Sequence, residues 1–430
     1  MASKPEPTTT QLISFSAGKL QVPPQPIIPY IEGDGIGPEI WKSTRQVIDH
    51  AIELAYQGKR QVRWLEVLAG EKSFKLSGTW LPDETIEALK IHMVAVKCPL
   101  TTPIGEGRRS LNVALRLELD LFASLRPIRY FAGVPSPLKT PEGIDIVLFR
   151  ENTEDVYTGI EFESNTEETN DMLSFLAERF PDQSRRIRFP GSTALGIKPI
   201  SREGSERILR TAIAWAIHNH RAKVTIVHKG NIMKFTEGAF VKWGYDLAER
   251  EFAEKCFTMV QWKKISELEG KQAANIRLEE ARKRGLLIIN DLIVDAAFER
   301  AITEPGEFDV MVTTNLNGDY LSDALAALVG GLGIAPGANI NFDTGHAVFE
   351  AAHGTAPDIA GEGLANPSSL ILSGVLLLRY IGWNEAANLL ENGLKKTLAS
   401  HVLTADFATR LPGSRQVDTA AFAGEIIQRM

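Results

Sequence analysis

Three arginines at the ends of apolar runs carry the clearest chemistry in this chain. The stretch Lys97–Arg126 reads KCPLTTPIGEGRRSLNVALRLELDLFASLR and supplies Arg116 and Arg126; Arg150 follows in Phe149-Arg150-Glu151-Asn152. Thr102, Ser110 and Asn112 add short polar side chains in the same stretch, and Ser110 is placed to cap a helix beginning near Leu111. Guanidinium groups are permanently charged planar forks, so a set of them at strand ends suits a ligand with several carboxylates. One arginine alone is as readily a solvated surface group; three beside polar loop residues argue for a shared anion. Tyr157 lies seven residues beyond Arg150. As a proton donor it needs a nearby cation to lower its pKa, and Lys229, in the glycine-punctuated run His228–Lys234, is the candidate.

Two carboxylates point to a cation. Asp319 and Asp323 are four apart in NGDYLSDA, so a helix starting there puts both on one face. Like charges at that spacing repel unless a cation lies between them, and an all-oxygen site suits Mg2+ or Mn2+. Asp295 interrupts an apolar stretch and is a plausible third ligand. The alternative is a helix cap at Asp319 and surface charge at Asp323.

The elements that must hold these groups read as alternating strands and helices. Strand candidates are Ile27–Ile31, Met93–Cys98, Ile144–Phe149, Val224–His228 and Asp309–Thr313; helix candidates include Pro38–Tyr56, Leu81–Leu89 and Glu206–His218. Strands apolar on both faces, alternating with helices, predict a parallel sheet covered by helices. Gly33, Gly35 and Gly37 follow the first strand, but the third glycine is one position early for a dinucleotide-binding loop, and no acidic residue closes a second strand. A tight strand-to-helix turn is the better reading.

The composition narrows the setting. A formal net charge of −7 over 430 residues argues against a nucleic-acid partner. The longest lipophilic run, Ser369–Tyr380, is too short for a membrane span, and the polar N-terminal stretch has no signal-like apolar core. Two cysteines, Cys98 and Cys256, build neither a disulfide framework nor a four-cysteine zinc site, so a reducing, cytoplasmic location is expected.

With these segments in view, the chain resembles the homodimeric, bacterial-type isocitrate dehydrogenases of the β-decarboxylating dehydrogenase family. The resemblance is dense in Ile31–Pro38, Leu100–Leu119, His228–Gly238, Asn315–Ala326 and Gly333–Asn339. It implies an α/β isocitrate/isopropylmalate dehydrogenase-like fold that is not a Rossmann fold. A large domain would take residues 1–121 and 330–430, a small domain 122–154 and 202–329, and an intersubunit clasp 155–201. It further implies that isocitrate is held by Ser110, Asn112, Arg116, Arg126 and Arg150, and that Tyr157 donates a proton. Lys229 and Asp295 would come from the partner subunit, and Asp295, Asp319 and Asp323 would hold the metal. The coenzyme would meet Thr102, Asn231, His353, Gly354, Thr355, Ala356, Asp358, Ile359 and Asn366.

The resemblance also implies isocitrate over isopropylmalate, since Ser110-Leu111-Asn112 matches the segment that the isocitrate branch presents to the extra carboxylate, where an apolar wall would leave that charge unpaired. NADP-using relatives carry Lys and Tyr where this chain has Asp358 and Ile359, and Tyr and Arg where it has Ala405 and Thr409. The resemblance therefore implies an NAD-dependent enzyme, since Asp358 would repel a ribose 2′-phosphate and accept from free ribose hydroxyls. An NADP enzyme, a homoisocitrate or isopropylmalate dehydrogenase, and a metabolite-binding regulatory subunit are the alternatives.

Overall fold

Short apolar runs, buried on both faces, assemble into one mixed sheet of eleven strands. The structure is a computed structural model and describes residues 11–101 and 110–430. The strands are β1 (Ile27–Ile31), β2 (Arg63–Glu66), β3 (Val94–Lys97), β4 (Ala123–Arg129), β5 (Asp145–Glu151), β6 (Lys223–His228), β7 (Cys256–Thr258), β8 (Leu287–Ile293), β9 (Val310–Thr313), β10 (Pro336–Ile340) and β11 (Ala347–Ala351). Across the sheet they lie in the order β7-β8-β6-β9-β5-β4-β10-β11-β3-β1-β2.

Two parallel blocks flank an antiparallel centre. One block is β7, β8, β6, β9 and β5; the other is β11, β3, β1 and β2. Between them β4 is antiparallel to β5 and β10, and β10 is antiparallel to β11. The expectation of a parallel sheet is corrected there. Plain loops join β4 to β5 and β10 to β11, and without a crossover helix neighbouring strands return antiparallel. One block draws its strands from both ends of the chain and the other from its middle.

The principal helices are α1 (Gly37–Tyr56), α2 (Leu111–Glu118), α3 (Arg202–His218), α4 (Glu237–Glu251), α5 (Val294–Thr303), α6 (Asn315–Leu328) and α7 (Ser368–Tyr380). α3 starts a turn earlier than its apolar period indicates because the Ser201 hydroxyl accepts from Gly204 N–H at 2.9 Å. α7 holds the longest apolar run and is buried because it packs on β10, β11 and α1. Among the described residues no helix is long and apolar enough to cross a membrane.

The glycine loop is a packing turn. Gly33 and Gly35 have φ of +78° and +57°. A Cβ on Gly35 would lie 2.0 Å from the Thr355 carbonyl oxygen, which accepts the Ile36 N–H at 2.9 Å. The turn thus docks the loop after β11 against the start of α1. Residues 155–201 form an excursion with two short antiparallel strands, Glu161–Phe162 and Leu195–Gly196, and a helix, Glu167–Arg179. It leaves Ile160, Phe175, Phe180, Phe189 and Ile197 exposed.

Candidate active site

The pocket lies where the two parallel blocks meet. Ser124 on β4 pairs with Arg150 on β5, and alternation puts Ser124, Arg126 and Arg150 on one face. On β11, Glu350 lies across from Lys97 of β3 on one side and Gly337 of β10 on the other. A Cβ on Gly337 would stand 2.3 Å from Arg126 Nη1, so glycine here lets the arginine cross β10. Glu350 then accepts from Lys97 Nζ at 2.8 Å, Arg116 Nη2 at 3.2 Å, Arg126 Nη2 at 3.3 Å and Asn339 Nδ2 at 2.8 Å. Burial alone would raise the Glu350 pKa. Lys97, Arg116 and Arg126 outweigh it and hold the carboxyl well below the usual range.

A second set of contacts joins β5 to α6. Arg150 Nε donates to Asn315 Oδ1 at 2.8 Å, and Arg150 Nη1 pairs with Asp319. The Tyr157 hydroxyl donates to the other Asp319 oxygen at 2.7 Å, with the Arg150 guanidinium 4.9 Å from the centre of its ring. Burial and the bond to Asp319 push the Tyr157 pKa up to about 12, against the pull of Arg150. Within a single chain, Lys229 does not supply the cation at Tyr157. The cation at Tyr157 is Arg150, and the shift is upward. Lys229 pairs instead with Asp295 at the start of α5.

The two aspartates on α6 are pushed apart. Burial opposes ionisation of Asp319, but Arg150 and Tyr157 more than offset it and the pKa falls. At Asp323, burial and the neighbouring Asp319 charge raise it. Among the described residues no three carboxylate, histidine or cysteine side chains form a metal cluster. Within one chain, then, Asp295 does not join Asp319 and Asp323.

Lys97, Asn112, Arg116, Arg126, Arg150, Asp319, Ser322, Asp323 and Glu350 line a cavity of about 140 Å³, with His353 and Gly354 on its wall. Among the described residues, Asn112 Oδ1, Arg116 Nε, Arg150 Nη2 and His353 Nε2 are buried without a hydrogen-bond partner. Each such atom costs roughly 1–3 kcal/mol, so their gathering in one cavity fits a ligand rich in carboxylate and hydroxyl oxygens. Ser110 takes the N-cap position of α2, but its side chain makes no capping bond there, which corrects the capping expectation. Thr102 lies outside the described residues.

The loop after β11 runs along the pocket. Burial lowers the His353 pKa, and His353 Nδ1 lies 3.0 Å from the Gly354 carbonyl oxygen. Ala356 has a φ of +38° and leads into the single turn Pro357–Ile359. Asn366 Nδ2 donates to Asp406 at 3.0 Å, and Asn366 Oδ1 accepts from Ser368 N–H at 2.9 Å. Asn231 sits exposed on the Lys229 loop and does not line the cavity. Reading residue types had passed over Lys97, Glu350, Ser322 and Asn315. A signal existed for the first two: each is a lone charge at or near the end of an otherwise apolar strand, VAVK and AVFEA.

Two parallel blocks joined by antiparallel strands, with a cationic pocket at the junction, define an α/β class distinct from the dinucleotide-binding fold. The sequence model of the isocitrate/isopropylmalate dehydrogenase family matches residues 27–426, and the chain belongs to that family. It is 55% identical to the isocitrate dehydrogenase [NADP] of Staphylococcus aureus over 422 residues, covering 98% of this chain and 100% of the relative. It is 53% identical to the isocitrate dehydrogenase [NADP] of Streptococcus mutans, covering 96% and 97%. The crystal structure of isocitrate dehydrogenase from Methylococcus capsulatus superposes with a TM-score of 0.74 at 35% identity, covering 94% of this chain and 98% of that one.

These relatives correct the expectation of an NAD-dependent member with NAD as its coenzyme: full-length relatives more than half identical to this chain are NADP enzymes. The structure gives the residues behind that expectation these surroundings. Asp358 is exposed, where water screens its charge. Ile359 packs against the core, and the Thr409 hydroxyl bonds back to the Ala405 carbonyl. Arg410 Nη1 donates to the Gly330 carbonyl at 3.0 Å.

Proposed function

We propose that the chain catalyses the NADP-dependent oxidative decarboxylation of isocitrate to 2-oxoglutarate and carbon dioxide, assisted by Mg2+ or Mn2+. The observation that carries this reading is the charge balance of the pocket. Among the described residues four cations, Lys97, Arg116, Arg126 and Arg150, face three carboxylates, Glu350, Asp319 and Asp323. A tricarboxylate arriving with a divalent cation brings one net negative charge and leaves the site neutral. Asp319 and Asp323 offer the oxygen donors such a cation takes, and the Asp323 pKa is raised by burial and then by the neighbouring Asp319 charge, both of which a cation would offset.

Bound there, the metal would acidify the substrate hydroxyl, and bound NADP would accept the hydride from carbon 2. Arg116, Arg126 and Arg150 hold the carboxylates, with Ser110 and Asn112 on the extra one. Lys229, beside Asp295, takes the hydroxyl proton. After carbon dioxide leaves, Tyr157 returns a proton to carbon 3 of the enolate.

Because Lys229 and Asp295 stand apart from the pocket, the reading includes a homodimer in which each subunit lends them to the other. The exposed apolar side chains of the 155–201 segment support that role as an intersubunit clasp. A large domain (1–121, 330–430) and a small one (122–154, 202–329) would close on the substrate.

Steady-state rates with isocitrate, Mg2+ and either coenzyme test the reading. A kcat/KM at least ~10-fold higher with NADP is expected, and preference for NAD would overturn the coenzyme half. Replacing Asp323 by asparagine is expected to raise the half-saturating Mg2+ concentration by about 10-fold or more in a titration of metal-stripped enzyme. An unchanged titration removes Asp323 from the metal.

A further inference from the structure

A third charged cluster sits beneath the pocket, outside the residues assigned above. Asp155 and Glu237 are fully buried carboxylates, and Lys198, its side chain 15% exposed, bridges them at 2.5 and 3.0 Å. Each member grips a different part of the site. Asp155 opens the single turn Asp155–Thr158 that carries Tyr157, in a left-handed conformation with φ +73°. One of its oxygens accepts the Val156 N–H at 2.7 Å; the other accepts the Leu316 N–H at 3.0 Å, at the start of the helix bearing Asp319 and Asp323. Glu237 accepts the backbone N–H of Lys229 at 3.0 Å, Asn317 Nδ2 at 2.8 Å and the Thr314 hydroxyl at 2.8 Å. Lys198 arrives from the far end of the 155–201 excursion, where the Asp155 N–H also donates to Pro199 O at 3.0 Å.

We propose that Lys198 is a positioning residue, which through Asp155 and Glu237 sets the Tyr157 turn, the α6 aspartates and the Lys229 loop in one register. Resting on the isocitrate reading for its kinetic consequence, this makes Lys198 the point at which the Tyr157 of one site and the Lys229 lent to the other are both aligned without touching substrate. Its loss misplaces them and slows turnover about 10- to 100-fold. Substrate binding falls less than turnover, because Arg116 and Arg126 are anchored by Glu350 and not by this cluster, while Arg150 is the arginine held on α6.

Lys198→Met strands two buried carboxylates and lowers stability on its own account. The double variant Lys198→Met/Glu237→Gln has the same net charge in the cluster as the native protein, and it decides the question even if the single variant does not fold. The expected result is recovered melting temperature with kcat still at least ~10-fold down and KM for isocitrate within about threefold. Lys198→Arg, which keeps the bridge, recovers most of kcat. Return of kcat together with stability in the double variant would overturn the proposal, leaving a purely structural ion pair. A crystal structure of the double variant gives a second readout that stands whether or not isocitrate is the substrate. Displacement of Tyr157 from Asp319 and of the Lys229 loop supports the proposal, and unchanged positions refute it.

Discussion

Replacing Tyr157 by phenylalanine is expected to lower kcat by about 10²- to 10⁴-fold, the usual worth of a positioned general acid, with KM for isocitrate changed less than about threefold. The substitution is nearly isosteric and keeps the ring against which Arg150 lies. It removes one bond, from the hydroxyl to Asp319. Arg150 still holds Asp319, and the carboxylate-binding arginines do not depend on Tyr157, so binding is spared. What is lost is a proton that the native site guards well. Burial and the Asp319 bond push the hydroxyl pKa up to about 12, which favours the protonated form that a donor needs. The alkaline limb of the native pH profile below about pH 10 should accordingly not report Tyr157. Full turnover by the phenylalanine variant would remove Tyr157 from the proton-donor role.

How much of this was legible in the sequence differs by residue. The strands were, because burial on both faces leaves continuous apolar runs, and so was the convergence of Arg116, Arg126 and Arg150. The antiparallel centre was not, since a plain loop and a crossover are hard to tell apart where apolar runs are closely spaced. Glu350 escaped because its function is to neutralise cations brought in from three separate segments, and Lys97, Arg116 and Arg126 meet only in the folded sheet. Lys229 was paired with Tyr157 on type; within one chain its partner is Asp295. The coenzyme shows the opposite failure. Asp358 and Ile359 have the right types for a discriminating pair, yet one is solvated and the other serves the core.

Glu350 carries the largest expected effect on stability. Replacing it by glutamine keeps the shape and one acceptor but withdraws the single negative charge shared by Lys97, Arg116 and Arg126, whose repulsion is then uncompensated at a nearly closed site. Losing one partner of a buried charge set typically costs about 3–5 kcal/mol, which should appear as a clear fall in melting temperature. The dependence on pH follows from the direction of the native shift. Because the folded pKa lies well below the unfolded value of 4.5, the stabilisation is complete above that value and is lost as pH falls through the folded one. The gap between native and Glu350→Gln proteins should therefore be constant from about pH 6 to 8 and close only in acid below about 4.5. The same three cations face the substrate cavity, so a tricarboxylate such as citrate should raise the melting temperature of the variant more than that of the native protein. Equal shifts would mean that the cations are neutralised from elsewhere, and that Glu350 does not hold the pocket at the charge an incoming trianion and its metal complete.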